Sequence, residues 1–140
     1  LRIERRLVEQ LLAQARSGYP YEVCGVLLGR PDGARVARAV PVANRELEQP
    51  RVRYQIAPED LFAIQREARA RGEDVLGYYH SHPDHPARPS ETDRRIAAEG
   101  LADGVIHVVV GVEKGEHAVP TAWIFRDATQ SFDPEPLEID

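Results

Sequence analysis

The sequence predicts an α/β or α+β layered fold in which helices flank a mainly central sheet. Three observations carry that prediction. Apolar residues near the start recur at helical steps, five short runs are rich in β-formers, and the two kinds of segment are mixed without strict strand–helix–strand alternation. At 140 residues the chain is one domain's worth of sequence, able to bury about two-thirds of its unfolded surface in one core. The expected domain spans residues 1–140, with 127–140 as a peripheral tail.

Each element has a local reason. Over residues 3–16, Ile3, Leu7, Leu11, Leu12 and Ala15 fall at three- and four-residue steps, the face of an amphipathic helix that Gly18 and Pro20 end. Residues 22–29 form a nearly continuous apolar run closed by Arg30-Pro31-Asp32-Gly33, the pattern of a buried strand entering a turn. A second strand over 35–42 completes a hairpin. The polar stretch 44–53 reads as a loop, followed by an extended segment over 53–56. Residues 58–72 carry proline at the first position, acids in the first turn, arginines in the last and a closing glycine, which together predict a helix. Residues 75–80 are a strand. Ser90 is the N-cap of a further helix that Gly100 follows, residues 105–112 and 119–126 are strands, and the proline-interrupted tail is at most an edge strand.

Several function classes are disfavoured at once. No apolar run approaches the ~20 residues that a membrane-spanning helix needs. With 23 acids against 18 bases and a formal charge of −5, and with arginines scattered rather than gathered, the chain offers no broad basic face for nucleic acid. The single cysteine, Cys24, excludes an internal disulfide and any cysteine-cluster zinc site. The opening residues are charged throughout and lack the apolar core of a secretory signal, so the expected address is cytoplasmic.

Chemistry concentrates between His80 and Asp93, where three histidines, a serine at 90 and three acids are interrupted by three prolines. His80 and His82 are two apart at a strand end, so both imidazoles face one side and Ser81 faces the other. A loop folding back would bring Asp93 to the same point. Two nitrogens and one oxygen leave a fourth tetrahedral position for water, the arrangement of a catalytic zinc. Glu22 is a candidate base at a neighbouring strand end, although spacing alone does not single it out among the acids. Ser90-Glu91-Thr92-Asp93 is equally a capping box, in which Asp93 caps its own helix and the histidines bind nothing. Asp84 and His85 compete as ligands, but they sit in a proline-punctuated bulge expected to project outward. Cys24 reads as a small buried hydrophobe, His107 as a satisfied sheet-face histidine, and Tyr78 and Tyr79 must point to opposite faces.

The order Glu22, His80-Ser81-His82, seven residues, Ser90, two residues, Asp93 resembles the JAMM (MPN-plus) zinc metalloproteases at every motif position. Pro20-Tyr21-Glu22-Val23-Cys24-Gly25 is similar to the Pro-x-Glu-x-Cys-Gly of the family's short prokaryotic members. The resemblance implies an α/β fold with a central mixed, curved sheet and cytidine-deaminase-like layering. It implies one Zn²⁺ per chain held by His80, His82 and Asp93, a water activated by Glu22, and an oxyanion stabilised by the Ser90 hydroxyl. The substrate it implies is the C-terminal glycine tail of a ubiquitin-like or sulfur-carrier β-grasp protein, with no nucleic-acid or membrane partner and a homodimer left open. Two alternatives stand beside it: a non-catalytic scaffold module of the same fold, and a zinc peptidase acting on cell-wall-type peptides.

Overall fold

A computed structural model describes residues 1–32 and 35–140. Its first helix, α1 (Arg5–Gly18), buries Leu7, Val8, Leu11, Leu12 and Ala15 along one stripe. Burying each Leu or Val contributes about 1.5–3 kcal/mol. Ile3, expected inside this helix, instead belongs to a short strand, β1 (Arg2–Ile3), paired in parallel with β8 (Glu138–Ile139). Its side chain is still buried, and its carbonyl accepts from the Asp140 N–H at 3.1 Å, so the apolar demand is met in extended backbone.

The wholly buried β2 (Cys24–Gly29) pairs antiparallel with β3 (Arg38–Val42) on one side and with β4 (Asp74–Pro83) on the other. The hairpin expected from the sequence is therefore present, and the turn reading at its tip ends on Gly33, outside the described residues. β5 (Ile106–Glu113), β6 (His117–Arg126) and β7 (Ser131–Glu135) complete a six-stranded sheet of order β3-β2-β4-β5-β6-β7. The β4–β5 pair is parallel and its neighbours are antiparallel, so the sheet is mixed. The tail forms the edge strand β7 and also supplies β8.

Helix α1 covers one face, where Leu27, Tyr79, Val108, Val110 and Val112 join its apolar stripe in a single core. The opposite face carries Val26, Leu28 and Tyr78, packed beneath Leu61, Ile64 and Ala68 of α2 (Pro58–Ala70). Adjacent Tyr78 and Tyr79 thus lie on opposite faces, as the period of two requires. Tyr79 lies so close to β2 that a Cβ at position 25 would sit 2.3 Å from its ring, which makes Gly25 a packing requirement. Helix α3 (Glu91–Gly100) follows the 83–90 loop on the Tyr78 side and includes Gly100, one residue further than expected. Among the described residues no helix is long and apolar enough to cross a membrane.

Candidate metal centre

Strand β4 does not stop at His80. It continues because Ser81, His82 and Pro83 stay in register with Val110, Gly111 and Val112 of β5. Both histidines therefore project from regular strand onto the same face, both are buried, and Ser81 turns away so that its Oγ accepts from the Val23 N–H at 2.9 Å. His80 Nε2 and His82 Nε2 lie 3.0 Å apart, and Asp93 Oδ2 lies 3.2 and 3.0 Å from them. Metal–ligand bonds of 2.0–2.1 Å at tetrahedral angles place neighbouring ligand atoms about 3.3 Å apart. The three atoms are thus already spaced for one divalent ion.

The donor chemistry fits as well. His82 Nδ1 lies 2.9 Å from the Pro86 carbonyl, which can only accept, so Nδ1 carries the proton and Nε2 offers its lone pair to the centre. His80 Nδ1 lies 3.1 Å from His107 Nε2, a partner able to accept its proton and leave Nε2 of His80 bare. Two lone pairs and a carboxylate oxygen converging at about 3 Å repel unless a cation stands between them. The His80–His82–Asp93 cluster is positioned to chelate a divalent metal ion.

The capping box and the triad, opposed as alternatives in the sequence, coexist. Ser90 Oγ accepts from the Asp93 N–H at 3.0 Å, and Asp93 Oδ2 accepts from the Ser90 N–H at 2.8 Å while facing both imidazoles. Burial works to raise the Asp93 carboxyl, but when no ion is bound and the imidazoles carry a proton on Nε2 as well, their hydrogen bonds and charge, with the Ser90 N–H, outweigh it and hold it far below the usual carboxylate range. Burial pulls His80 down against the partial opposition of Asp93.

Glu22 lies two residues before β2 rather than on it, because its N–H donates to the Pro50 carbonyl instead of a sheet neighbour. Its side chain is 4% exposed and its Oε1 has no hydrogen-bond partner. Burial, with the charge of Asp93 behind it, pushes this carboxyl up to about 9. Glu22, His82 and Ser90 line one cavity of about 360 Å³. Ser90 spends only its oxygen on the cap, so its hydroxyl proton is free to point into that space.

Three residues outside the expected site complete the surroundings, of which only His107 has a reading from the sequence. Tyr54 stacks on His80 with ring centroids 4.5 Å apart, and its hydroxyl meets His107 Nε2 at 2.9 Å. His107 therefore touches a triad member rather than merely filling a sheet face, and its Nδ1 is buried without a partner, contrary to the satisfied histidine expected. Burial takes it down to about 3. Asn44 uses its whole side chain. Its Nδ2 donates to the carbonyls of Glu22 and Arg53, and its Oδ1 accepts from the N–H groups of Glu46 and Gln55, tying the Glu22 segment to the loop that carries Tyr54. Asp84 and His85 are exposed and outside the cluster, Asp84 being held by the Tyr19 hydroxyl and the Lys114 N–H. Cys24 is buried, donates to the Val42 carbonyl at 3.5 Å, and is pushed up to about 12 by burial and then by Glu22, so it stays a protonated thiol.

A mixed sheet between helices, with a His-His-Asp cluster at the end of its central strand, defines a zinc-protease-like domain of JAMM/MPN fold. Residues 4–127 match the family described as prokaryotic homologs of the JAB domain, and the chain belongs to that family. It is 43% identical over 94 residues to a desampylase of Haloferax volcanii, covering 64% of this chain and 67% of that one. It is 33% identical over 104 residues to a CysO-cysteine peptidase of Mycobacterium tuberculosis, covering 74% and 70%. A solution structure of a Desulfitobacterium hafniense protein superposes with a TM-score of 0.84 at 28% identity, covering 99% of this chain and 92% of that one.

Proposed function

We propose that this chain is a zinc-dependent peptidase that hydrolyses the peptide or isopeptide bond following the C-terminal glycine of a ubiquitin-like or sulfur-carrier β-grasp protein. The observation that carries the proposal is the convergence of two imidazole nitrogens and one carboxylate oxygen beside a buried carboxyl oxygen that lacks a partner. The names of the desampylase and CysO-cysteine peptidase relatives support the substrate class.

His80, His82 and Asp93 would hold the zinc ion. Bound there, zinc would serve as a Lewis acid that lowers the pKa of water towards 7. Glu22 takes the proton from the attacking water at Oε1 and delivers it to the leaving nitrogen, a transfer that needs a carboxyl group shielded from bulk solvent. Ser90 donates its hydroxyl to the carbonyl oxygen as negative charge develops there, a contribution of roughly 10²–10³ in rate for a single donor. Tyr54 and His107 fix the ring of His80, and Asn44 fixes the segment bearing Glu22.

The test is Glu22→Gln assayed on a β-grasp carrier fused through its Gly-Gly end. One zinc per chain with turnover abolished is the expected result. Full turnover by this variant removes Glu22 from the mechanism, and no turnover by the wild-type protein with zinc bound favours a scaffold.

A further inference from the structure

Two successive carbonyls in the loop between β4 and α3 are each held by a side chain of the sheet. The Pro86 carbonyl faces Nδ1 of His82 at 2.9 Å. The next one, that of Ala87, accepts the hydroxyl of Thr121 on β6. Thr121 shares the site face of the sheet, because Val109 stands opposite both His80 and Thr121 in register. Two strand spacings put its backbone about 10 Å from that of His80. The loop reaches it across Gly111, where a Cβ would sit 3.2 Å from the Cβ of Ala87 and 3.3 Å from its nitrogen. The missing side chain at 111 is what lets Ala87 lie down on β5.

A third group fixes the direction of the Thr121 hydroxyl. The indole Nε1–H of Trp123 lies 2.9 Å from Thr121 Oγ1. An indole N–H donates and never accepts, so it occupies a lone pair of Oγ1 and leaves the hydroxyl proton to a carbonyl. Ala87 offers the nearer carbonyl, and that of Val109 stands at 3.3 Å. The donation therefore runs from Trp123 to Thr121 to Ala87, one peptide unit beyond the carbonyl that meets His82. Partners behind a metal-binding imidazole set its tautomer and its aim. We propose that Thr121, oriented by Trp123, is a positioning residue for the metal centre: it anchors Ala87, and with it the Pro86 carbonyl that keeps Nε2 of His82 turned towards the ion. Thr121 acts through the loop and has no contact with His80, His82 or Asp93. The proposal rests on the metal centre and not on the proposed hydrolysis, so binding alone tests it.

The experiment measures zinc dissociation constants by competition with a chromophoric chelator for the wild type, Thr121→Val and Thr121→Ser, with the fold of each checked by circular dichroism. Valine keeps the shape of threonine and removes the hydroxyl. Thr121→Val is expected to bind zinc about tenfold more weakly, the lower end of what loss of a partner behind a ligand costs, and Thr121→Ser to recover most of the affinity. The second readout is the His82 Nδ1 proton resonance of the zinc-loaded proteins, whose exchange with water should be faster in Thr121→Val and in Trp123→Phe than in the wild type. Wild-type affinity in Thr121→Val overturns the proposal, as does a loss in Thr121→Ser equal to that in Thr121→Val, which would assign the effect to packing. Unchanged exchange of the Nδ1 proton in either variant also overturns it, and Trp123→Phe decides alone if Thr121→Val does not fold. A wild-type protein that binds no zinc removes the metal centre itself and this proposal with it.

Discussion

Replacing Glu22 with glutamine should stabilise the metal-free protein, and by an amount that depends on pH. Glu22 is 4% exposed, and its carboxyl is pushed from an ordinary 4.5 up to about 9. The folded chain therefore keeps this proton up to about pH 9, whereas the unfolded chain releases it above 4.5. Stability from this group is full below pH 4.5 and is lost as pH rises, because the folded state binds the extra proton. At 1.36 kcal/mol per pH unit, the interval from 4.5 to 7 amounts to about 3 kcal/mol of destabilisation. Glutamine keeps the shape without the proton. Glu22→Gln should match the wild type at pH 4.5 and exceed it by about 3 kcal/mol at pH 7, a rise of about 10 °C in Tm. Urea denaturation in chelator across pH 4.5–8 measures this. Zinc should shrink the difference, since a nearby cation favours the carboxylate form. Stability curves that stay parallel across this pH range would refute the claim that Glu22 is a buried proton holder.

His82→Ala should abolish stoichiometric zinc binding, measured by metal analysis after dialysis, because it leaves two ligands and opens the loop tied at the Pro86 carbonyl. Ser90→Ala should lower stability by about 0.5–2 kcal/mol through the lost cap and kcat by roughly 10²–10³, whereas a purely structural Ser90 would move only the denaturation midpoint. Asn44→Asp keeps both acceptor contacts to Glu46 and Gln55 but sets an oxygen against the carbonyls of Glu22 and Arg53. It should reduce kcat while zinc stoichiometry holds, and equal losses of both would show that Asn44 merely maintains the fold. In the metal-free protein the contribution of His107 should weaken from about pH 6.5 towards 3, because the unfolded chain protonates the imidazole that folding keeps neutral down to about 3, and this loss opposes the Glu22 contribution, which grows as pH falls to 4.5. His107→Gln should therefore gain stability relative to the wild type as pH falls from about 6.5 towards 3, measured by urea denaturation in chelator, and a constant difference would refute this.

The triad was legible because its spacing follows secondary-structure periods: two residues apart along a strand, and a helix N-terminus reached after a proline-broken loop. Its alternative, a helix cap, was equally legible, and the structure shows the same carboxylate doing both. The start of α1 was misplaced because β-branched Ile3 satisfies a helical stripe and a buried strand alike. The sequence does not place Tyr54 or Asn44 at the site and reads His107 only as a satisfied sheet-face histidine, because their partners are set by sheet register and a long-range loop contact. His107 faces Tyr78 across the β4–β5 pair, one step from His80, and no local pattern reveals that neighbour. Asn44 did carry a weak signal, since an asparagine just past a strand commonly bonds the N–H two residues on. Its two contacts to Glu22 and Arg53 have no counterpart in local sequence.

Because one oxygen of Asp93 begins α3 and also faces both imidazoles, the choice of third ligand is bound to secondary structure. Exchanging that aspartate for cysteine, to favour a softer ion, would unfasten the first turn of the helix in the same stroke. The preference for a hard oxygen donor is thereby written into the backbone, and redesign of the ion's identity has to begin by finding the helix another cap.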